Sequence, residues 1–246
     1  MTNDFNLVDS KRDNKERQER PRIVEIVGPA GTGKTTLCNV ISHCSDRVHL
    51  CNFPDVREAA NIPFFVLYGC QLLATLSHIP GHRDRQLSRR EIVWLSIVIG
   101  WPKVLEKELR KNKDVIILDQ GPVYLLSELR EFGPDYLKAG TAKRVWQTWY
   151  NQWASTLDVI VLLDAKDQDL TARIRNRDKD HPVKHESEQA IVEFLGRYRT
   201  AYERTLAELV ANRASIKVLR LDTSHQSPEK IADQILAELE GGGYIV

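Results

Sequence analysis

Gly28-Pro29-Ala30-Gly31-Thr32-Gly33-Lys34-Thr35 is the stretch on which the fold turns. It meets G-x-x-x-x-G-K-[ST] at every fixed position. A loop that wraps a polyphosphate must aim backbone N–H groups inward, and glycines permit the close approach and unusual dihedrals this requires. A helix starting at Lys34 turns its N-terminal dipole and free N–H groups on the same anion. Lys34 brings a mobile cation to the β- and γ-phosphates, and the Thr35 hydroxyl is placed for Mg²⁺. Gly28, Pro29, Ala30, Gly31, Thr32, Gly33, Lys34, Thr35 and the adjoining Thr36 are thus the candidate nucleotide-binding residues. Such an octapeptide can arise by chance in a loop. Here the apolar Ile23, Val24, Ile26 and Val27 precede it as a strand, and an amphipathic helix to about His43 follows it, which is the context the motif needs.

Outward from the loop, apolar strands alternate with helices to the end of the chain. Val48 to Cys51 reads as a second strand. Val115 to Leu118 and Asp158 to Leu163 are continuous apolar runs, as expected of parallel strands buried on both faces. Ile216 to Leu221 is a fifth. Residues 55–112 read as a largely helical insert, with Leu72, Leu73 and Leu76 on one helix face and a break at Ile79-Pro80-Gly81. The next helix starts near Ser88, where Ser88 and Glu91 fit a capping box and Leu87 and Ile92 a hydrophobic staple. Ile92 to Trp101 reads as a buried stretch of that helix. Ser227-Pro228 opens the last helix as N-cap and first helical residue. The class is α/β: a P-loop three-layer sandwich with a five-stranded parallel sheet and helices on both faces.

A chain of 246 residues suits one such domain over 21–240. Residues 1–20 are dense in charge and poor in apolar residues, and read as a disordered tail. A formal net charge of +1 argues against a nucleic-acid or membrane-surface partner. The four cysteines, Cys38, Cys44, Cys51 and Cys70, form no C-x-x-C pair and read as reduced, buried thiols. The opening residues are too polar for a secretory signal, and the run from Ile92 to Trp101 is too short to span a bilayer, which takes about 20 residues. A cytoplasmic protein is expected, and a homodimer is compatible with the reading.

Val115-Ile-Ile-Leu-Asp119 ends a neighbouring strand in a carboxylate. Alone, Asp119 would be a turn cap; beside a complete phosphate loop it is the expected second group for Mg²⁺. From Arg22 to about Leu239 the chain resembles the P-loop kinases of nucleosides and nucleotides, closest to the thymidylate kinase and deoxynucleoside kinase branches. Three features carry the resemblance beyond the loop: Asp119-Gln120-Gly121-Pro122, where those kinases have an acidic residue followed by Arg; Leu170-Thr-Ala-Arg173-Ile-Arg175-Asn-Arg177, similar to their arginine-bearing lid; and Asp222-Thr223-Ser224 after the fifth strand, where the family places a loop beside the adenine. The resemblance implies strand order 2-3-1-4-5 and a closing lid, about 173–186. Gln120 departs from the arginine that often contacts the acceptor in that family.

On a helix Arg173 and Arg177 share a face and Arg175 points elsewhere, so Arg173 and Arg177 are the candidates to surround a migrating phosphoryl group. Asp178-Lys179-Asp180-His181-Pro182 then reads as a mobile loop. For the acceptor, Asp55 lies just after the second strand, where the resemblance implies a base towards a sugar hydroxyl; a helix N-cap explains it equally well. Arg83, Arg85, Arg89 and Arg90 cluster at a helix start, as a solvated patch or as a grip on an anion. Trp146, Trp149, Tyr150 and Trp153, at i, i+3, i+4 and i+7, read as core in preference to a stacking platform. The expected function is ATP- and Mg²⁺-dependent phosphoryl transfer to a small-molecule acceptor, a nucleoside or nucleotide. The alternatives are a nucleotide-dependent switch acting on a protein partner and a kinase-like protein without activity.

Overall fold

Side chains alternate across a strand, so each strand of a central sheet supplies two cores. In the computed structural model, Ile23 and Val27 of β1 (Arg22–Val27) join one apolar cluster, while Val24 and Ile26 join the other. The same division holds in β3 (Val115–Asp119), with Ile116 and Leu118 against Val115 and Ile117. It holds again in β4 (Val159–Asp164), with Ile160 and Leu162 against Val159, Val161 and Leu163. The structure describes residues 22–45, 47–77, 79, 84–110 and 115–241. The charged tail 1–20, Pro80 and Gly81 of the expected break, and Arg83 of the basic cluster lie outside them.

With β2 (Val48–Leu50) and β5 (Lys217–Asp222), these strands form one parallel sheet in the order β2-β3-β1-β4-β5. One face is covered by α1 (Lys34–Cys44), through Leu37, Cys38 and Ile41, and by α9 (Pro228–Gly241), through Ile231, Ala232 and Ile235. The other face carries α2 (Ile62–Ser77), α3 (Arg89–Leu109), α4 (Pro122–Phe132), α6 (Lys143–Thr156) and α8 (Glu188–Asn212), with the one-turn α5 (Asp135–Lys138) between α4 and α6. A third cluster, Leu170 and Ile174 with Ile191 and Leu195, fixes α7 (Asp167–Asn176) on the start of α8.

Local signals act where expected. Ser88 Oγ accepts from Glu91 N at 3.2 Å and Glu91 Oε2 accepts from Ser88 N at 2.7 Å, which completes the capping box of α3. Ser227 Oγ accepts from Lys230 N ahead of α9. Trp146, Trp149, Tyr150 and Trp153 are all buried, and the indole N–H groups of Trp146 and Trp153 donate to Leu137 O and Val98 O. This stripe is core.

Four readings are corrected. β4 starts at Val159, because Asp158 is occupied as an anchor: its Oδ2 accepts from Ile23 N and its Oδ1 from Arg213 Nη2. Leu73 does not share the face of Leu72 and Leu76; those two are buried and Leu73 is exposed, since adjacent helical positions diverge by roughly 100°. Of the thiols only Cys38 is buried; Cys51 is half-buried, and Cys44 and Cys70 are exposed. Cys44 is the last residue of α1, and Cys70 falls on the outward side of α2. Ile92 is also exposed, so the buried stretch of α3 begins later, at Leu95.

Candidate active site

The phosphate loop leaves β1 at its carboxyl end and enters α1. Gly28 passes so close to β4 that a Cβ there would lie 2.2 Å from Leu163 O. Gly33, the N-cap of α1, has φ +83°, a left-handed conformation that glycine adopts without strain. Inside the loop Thr32 is buried, and its hydroxyl donates to Pro29 O at 3.0 Å. Lys34 Nζ donates to Gly28 O and Pro29 O at 2.8 and 2.9 Å, holding its ammonium over the loop. Burial pulls the Lys34 pKa down to about 8; the Asp119 carboxylate opposes this and Arg177 adds to it.

β3 delivers Asp119 beside β1, in register with Ile26. Thr35 Oγ1 donates to Asp119 Oδ2 at 2.7 Å. Asp119 Oδ1 is buried with no hydrogen-bond partner among the described residues. The Thr35 hydroxyl and the Asp119 carboxylate are hard oxygen donors of the kind that could hold a divalent cation. Among the described residues no three His, Cys, Asp or Glu side chains gather as a metal cage.

Gln120 follows with φ +61°, left-handed for a residue with a Cβ, and its N–H donates to Ile26 O at 3.3 Å. Backbone strain of this kind gathers at functional sites. Glu25 supports the turn from below. It is fully buried in β1, and its carboxylate accepts from Val123 N at 2.8 Å and Tyr124 N at 3.1 Å, at the free N-terminus of α4. Burial pushes the Glu25 pKa up to about 8, against backbone donors that pull it down.

The loop opens into a cavity of about 750 Å³. Of the expected nucleotide-binding residues, Gly28, Ala30, Gly31, Gly33, Lys34, Thr35 and Thr36 line it. Pro29 and Thr32 serve the inside of the loop. Arg173 and Arg177 both reach the cavity, but not as two rungs of one helix: α7 ends at Asn176 and Arg177 is extended. Arg173 Nη1 donates to Gly31 O and Thr223 Oγ1, and Nη2 donates to Thr223 O. It therefore clamps the phosphate loop to the loop after β5. Arg175 is exposed on another side, as its spacing requires. Asp55 stands apart: it is exposed, its Oδ1 accepts from Arg57 N at 2.9 Å, and it is not among the residues lining the cavity.

Much of the remaining wall was not foreseen. Tyr124, Glu128 and Phe132 follow at i, i+4 and i+8 on α4. Phe194, Tyr198 and Tyr202 repeat that spacing on α8. Tyr198 Oη donates to Glu128, whose pKa burial raises. Arg90 of α3 closes the group with its guanidinium 4.0 Å over the Trp94 ring. The basic cluster thus divides: Arg90 joins the cavity, whereas Arg85 is spent on Glu91. The i, i+4 spacing of each stripe was a signal available in the sequence, but it looks the same as core packing. Arg199, also unforeseen, ties the base of α7 to α8: its Nε donates to Asp164 and its Nη1 to Asp167.

No family model and no curated protein matches this chain. Solved structures do. A deoxyadenosine kinase from M. mycoides with products dCMP and a flexible dCDP bound aligns at TM-score 0.51 and 17% identity, over 89% of this chain and 99% of that one. The same kinase with bound dATP aligns at 0.51 and 16%, with the same coverage. A thymidylate kinase from Candida albicans aligns at 0.52 and 14%, over 92% and 94%. The likeness is one of fold, and it includes the parallel sheet in the order 2-3-1-4-5.

Proposed function

We propose, for a chain with the fold of the P-loop nucleoside and nucleotide kinases, that it transfers the γ-phosphoryl group of ATP, with Mg²⁺, to a small-molecule acceptor, a nucleoside or nucleotide. One observation carries this reading: a single cavity of about 750 Å³ holds the phosphate loop, the lid arginines, and a polar and aromatic wall beyond them. A switch that only hydrolyses a nucleotide has no use for that wall. The neighbours of known structure bind nucleotides at sites on the same fold.

In this mechanism the loop amides and Lys34 hold the β- and γ-phosphates. Thr35 and Asp119 hold Mg²⁺, which when bound neutralises charge on the phosphate oxygens. An acceptor oxygen bonds to the γ-phosphorus, the bond from that phosphorus to the β–γ bridging oxygen breaks, and ADP leaves. Arg173 and Arg177 face the charge spread over the migrating group, where preorganised cations act most strongly. A hydroxyl acceptor must also lose a proton. Asp55 is the base expected from the sequence, but among the described residues the carboxylate that lines the cavity is Glu128, which accepts from Tyr198 and whose basicity burial raises. Arg90 and Tyr124 complete the acceptor side, Arg90 as the partner of an anionic acceptor.

The test is transfer from γ-labelled ATP with Mg²⁺ to pooled nucleosides, nucleotides and small hydroxylated metabolites, with Lys34→Ala as control. A labelled product that disappears in the control supports the proposal, and dividing the pool names the acceptor. ATP binding with no labelled product from any pool would refute it.

A further inference from the structure

Two backbone carbonyls of the phosphate loop each accept from two donors. Gly28 O accepts from Lys34 Nζ at 2.8 Å and from Tyr202 Oη at 3.3 Å. Pro29 O accepts from Lys34 Nζ at 2.9 Å and from Thr32 Oγ1 at 3.0 Å. In both cases the ammonium takes one lone pair of the oxygen, and the hydroxyl of a buried residue takes the other. The two hydroxyls come from different places. Thr32 belongs to the loop itself, between Gly31 and Gly33, whose φ values of +87° and +83° bend the chain there. Tyr202 comes from α8, the helix whose Phe194 and Tyr198 line the cavity beyond the loop. Ser127 Oγ of α4 donates to Ala201 O at 3.3 Å and to Thr205 Oγ1 at 2.8 Å, which holds α8 on either side of Tyr202.

An ammonium has three N–H bonds, and these carbonyls occupy two of them. Lys34 reaches a β- and a γ-phosphate together only by giving loop carbonyls up. Gly28 and Pro29 are both buried, so water has poor access to the vacated positions. The loop has no room to shift towards another donor, because Gly28 is packed against Leu163 O of β4. A buried carbonyl left without a donor is destabilising. We infer that Thr32 and Tyr202 are positioning residues for Lys34: when the ammonium turns to the phosphates, their hydroxyls stay on Pro29 O and Gly28 O and keep both carbonyls hydrogen-bonded. The inference rests on reading the loop as an ATP site, and it adds to that site two side chains that act through Lys34. The ammonium is held over the loop in the free chain without being trapped there. Tyr202 also joins the acceptor side of the cavity to the donor side, since α8 carries both Tyr198 and the hydroxyl on Gly28 O.

The test is ATP affinity, measured by equilibrium dialysis of the full chain with labelled ATP and Mg²⁺. Tyr202→Phe and Thr32→Val should each weaken ATP binding by about tenfold, because each leaves one buried carbonyl without a donor in the bound state alone. Thr32→Ser, which keeps the hydroxyl, should bind as the parent chain does. The melting temperature of the ligand-free chain should stay nearly unchanged in all three, since Lys34 still serves both carbonyls there. In a Lys34→Met background the hydroxyls serve the carbonyls with and without ATP alike, so Tyr202→Phe should add no further loss. Unchanged affinity in Tyr202→Phe or in Thr32→Val overturns the inference and leaves the ATP site standing. An equal loss from Tyr202→Phe in the parent and Lys34→Met backgrounds also overturns it, because the substitution has then deformed the loop independently of Lys34. A parent chain that binds no ATP overturns the inference together with the reading it rests on.

Discussion

The Thr35 hydroxyl donates to Oδ2 of Asp119 at 2.7 Å across 84 positions of sequence, and Oδ1 of the same carboxylate has no partner among the described residues. The last residue of the motif and the last residue of a separate strand thus meet at the mouth of the phosphate loop, with one buried carboxylate oxygen left over. The bond itself is replaceable: a cation that takes both oxygens satisfies them better than they satisfy each other.

Asp119→Asn should therefore keep the fold and lose the metal. A neutral amide still accepts from Thr35 but no longer balances a divalent charge. Turnover at fixed Mg²⁺ should fall by about 10²–10³, with the Mg²⁺ midpoint shifted to higher concentration. A Mg²⁺ titration of phosphoryl transfer reads both. An unchanged midpoint would remove Asp119 from the metal site.

Lys34 carries a pH signature. Burial lowers its pKa to about 8, so the ammonium is present below that value and is lost as pH rises through it. ATP affinity, measured by calorimetry, should weaken across that window. Lys34→Arg, which stays charged, should bind ATP with a flat profile there, because the guanidinium pKa lies above about 12.

Glu25 should govern stability more than chemistry. Glu25→Ala opens a cavity and leaves two buried N–H donors of α4 unsatisfied, a loss of about 2–4 kcal/mol in denaturant unfolding. The folded pKa, about 8, lies above the ordinary 4.5. The contribution of the protonated group is thus fully present below about 4.5 and is lost as pH rises through about 8. Glu25→Gln should flatten that part of the stability profile.

The two lid arginines should separate. Arg173 is hydrogen-bonded to Gly31 and Thr223, so Arg173→Ala should lower both turnover and melting temperature. Arg177 lines the cavity beyond the end of α7, so Arg177→Ala should lower turnover with little change in melting. Equal thermal losses in the two variants would contradict this division.

Arg90 tests the acceptor side. Arg90→Ala should raise KM for the acceptor by about tenfold or more and leave KM for ATP nearly unchanged, as expected when a charge-assisted contact to one substrate is removed. A matching rise for ATP would place Arg90 on the donor side instead.

Glycines, a lysine and a threonine at fixed spacing, between an apolar strand and a helix, determine a phosphate loop without any long-range information. Backbone dihedrals and helix-end amides are properties of adjacent residues. Continuous apolar strands alternating with helices determine a parallel sheet for the same reason. The phosphate loop, the α/β class and Asp119 at a strand end were therefore open to reading from the chain alone. Leu73 shows where such reading stops: adjacent to Leu72, it belongs to the opposite side of α2, and only the packing of α2 on α3 shows which side is inside. Arg90, Tyr124, Glu128 and Tyr198 come from three helices whose stripes look like core in sequence. They become a cavity wall because α3, α4 and α8 converge beyond the phosphate loop. Glu25 looks like an interruption of an apolar strand until α4 presents two free N–H groups above it. The sequence by itself determined what depends on neighbours along the chain. Tertiary structure alone decided which distant side chains share the low-dielectric space where their charges and hydrogen bonds act on one another.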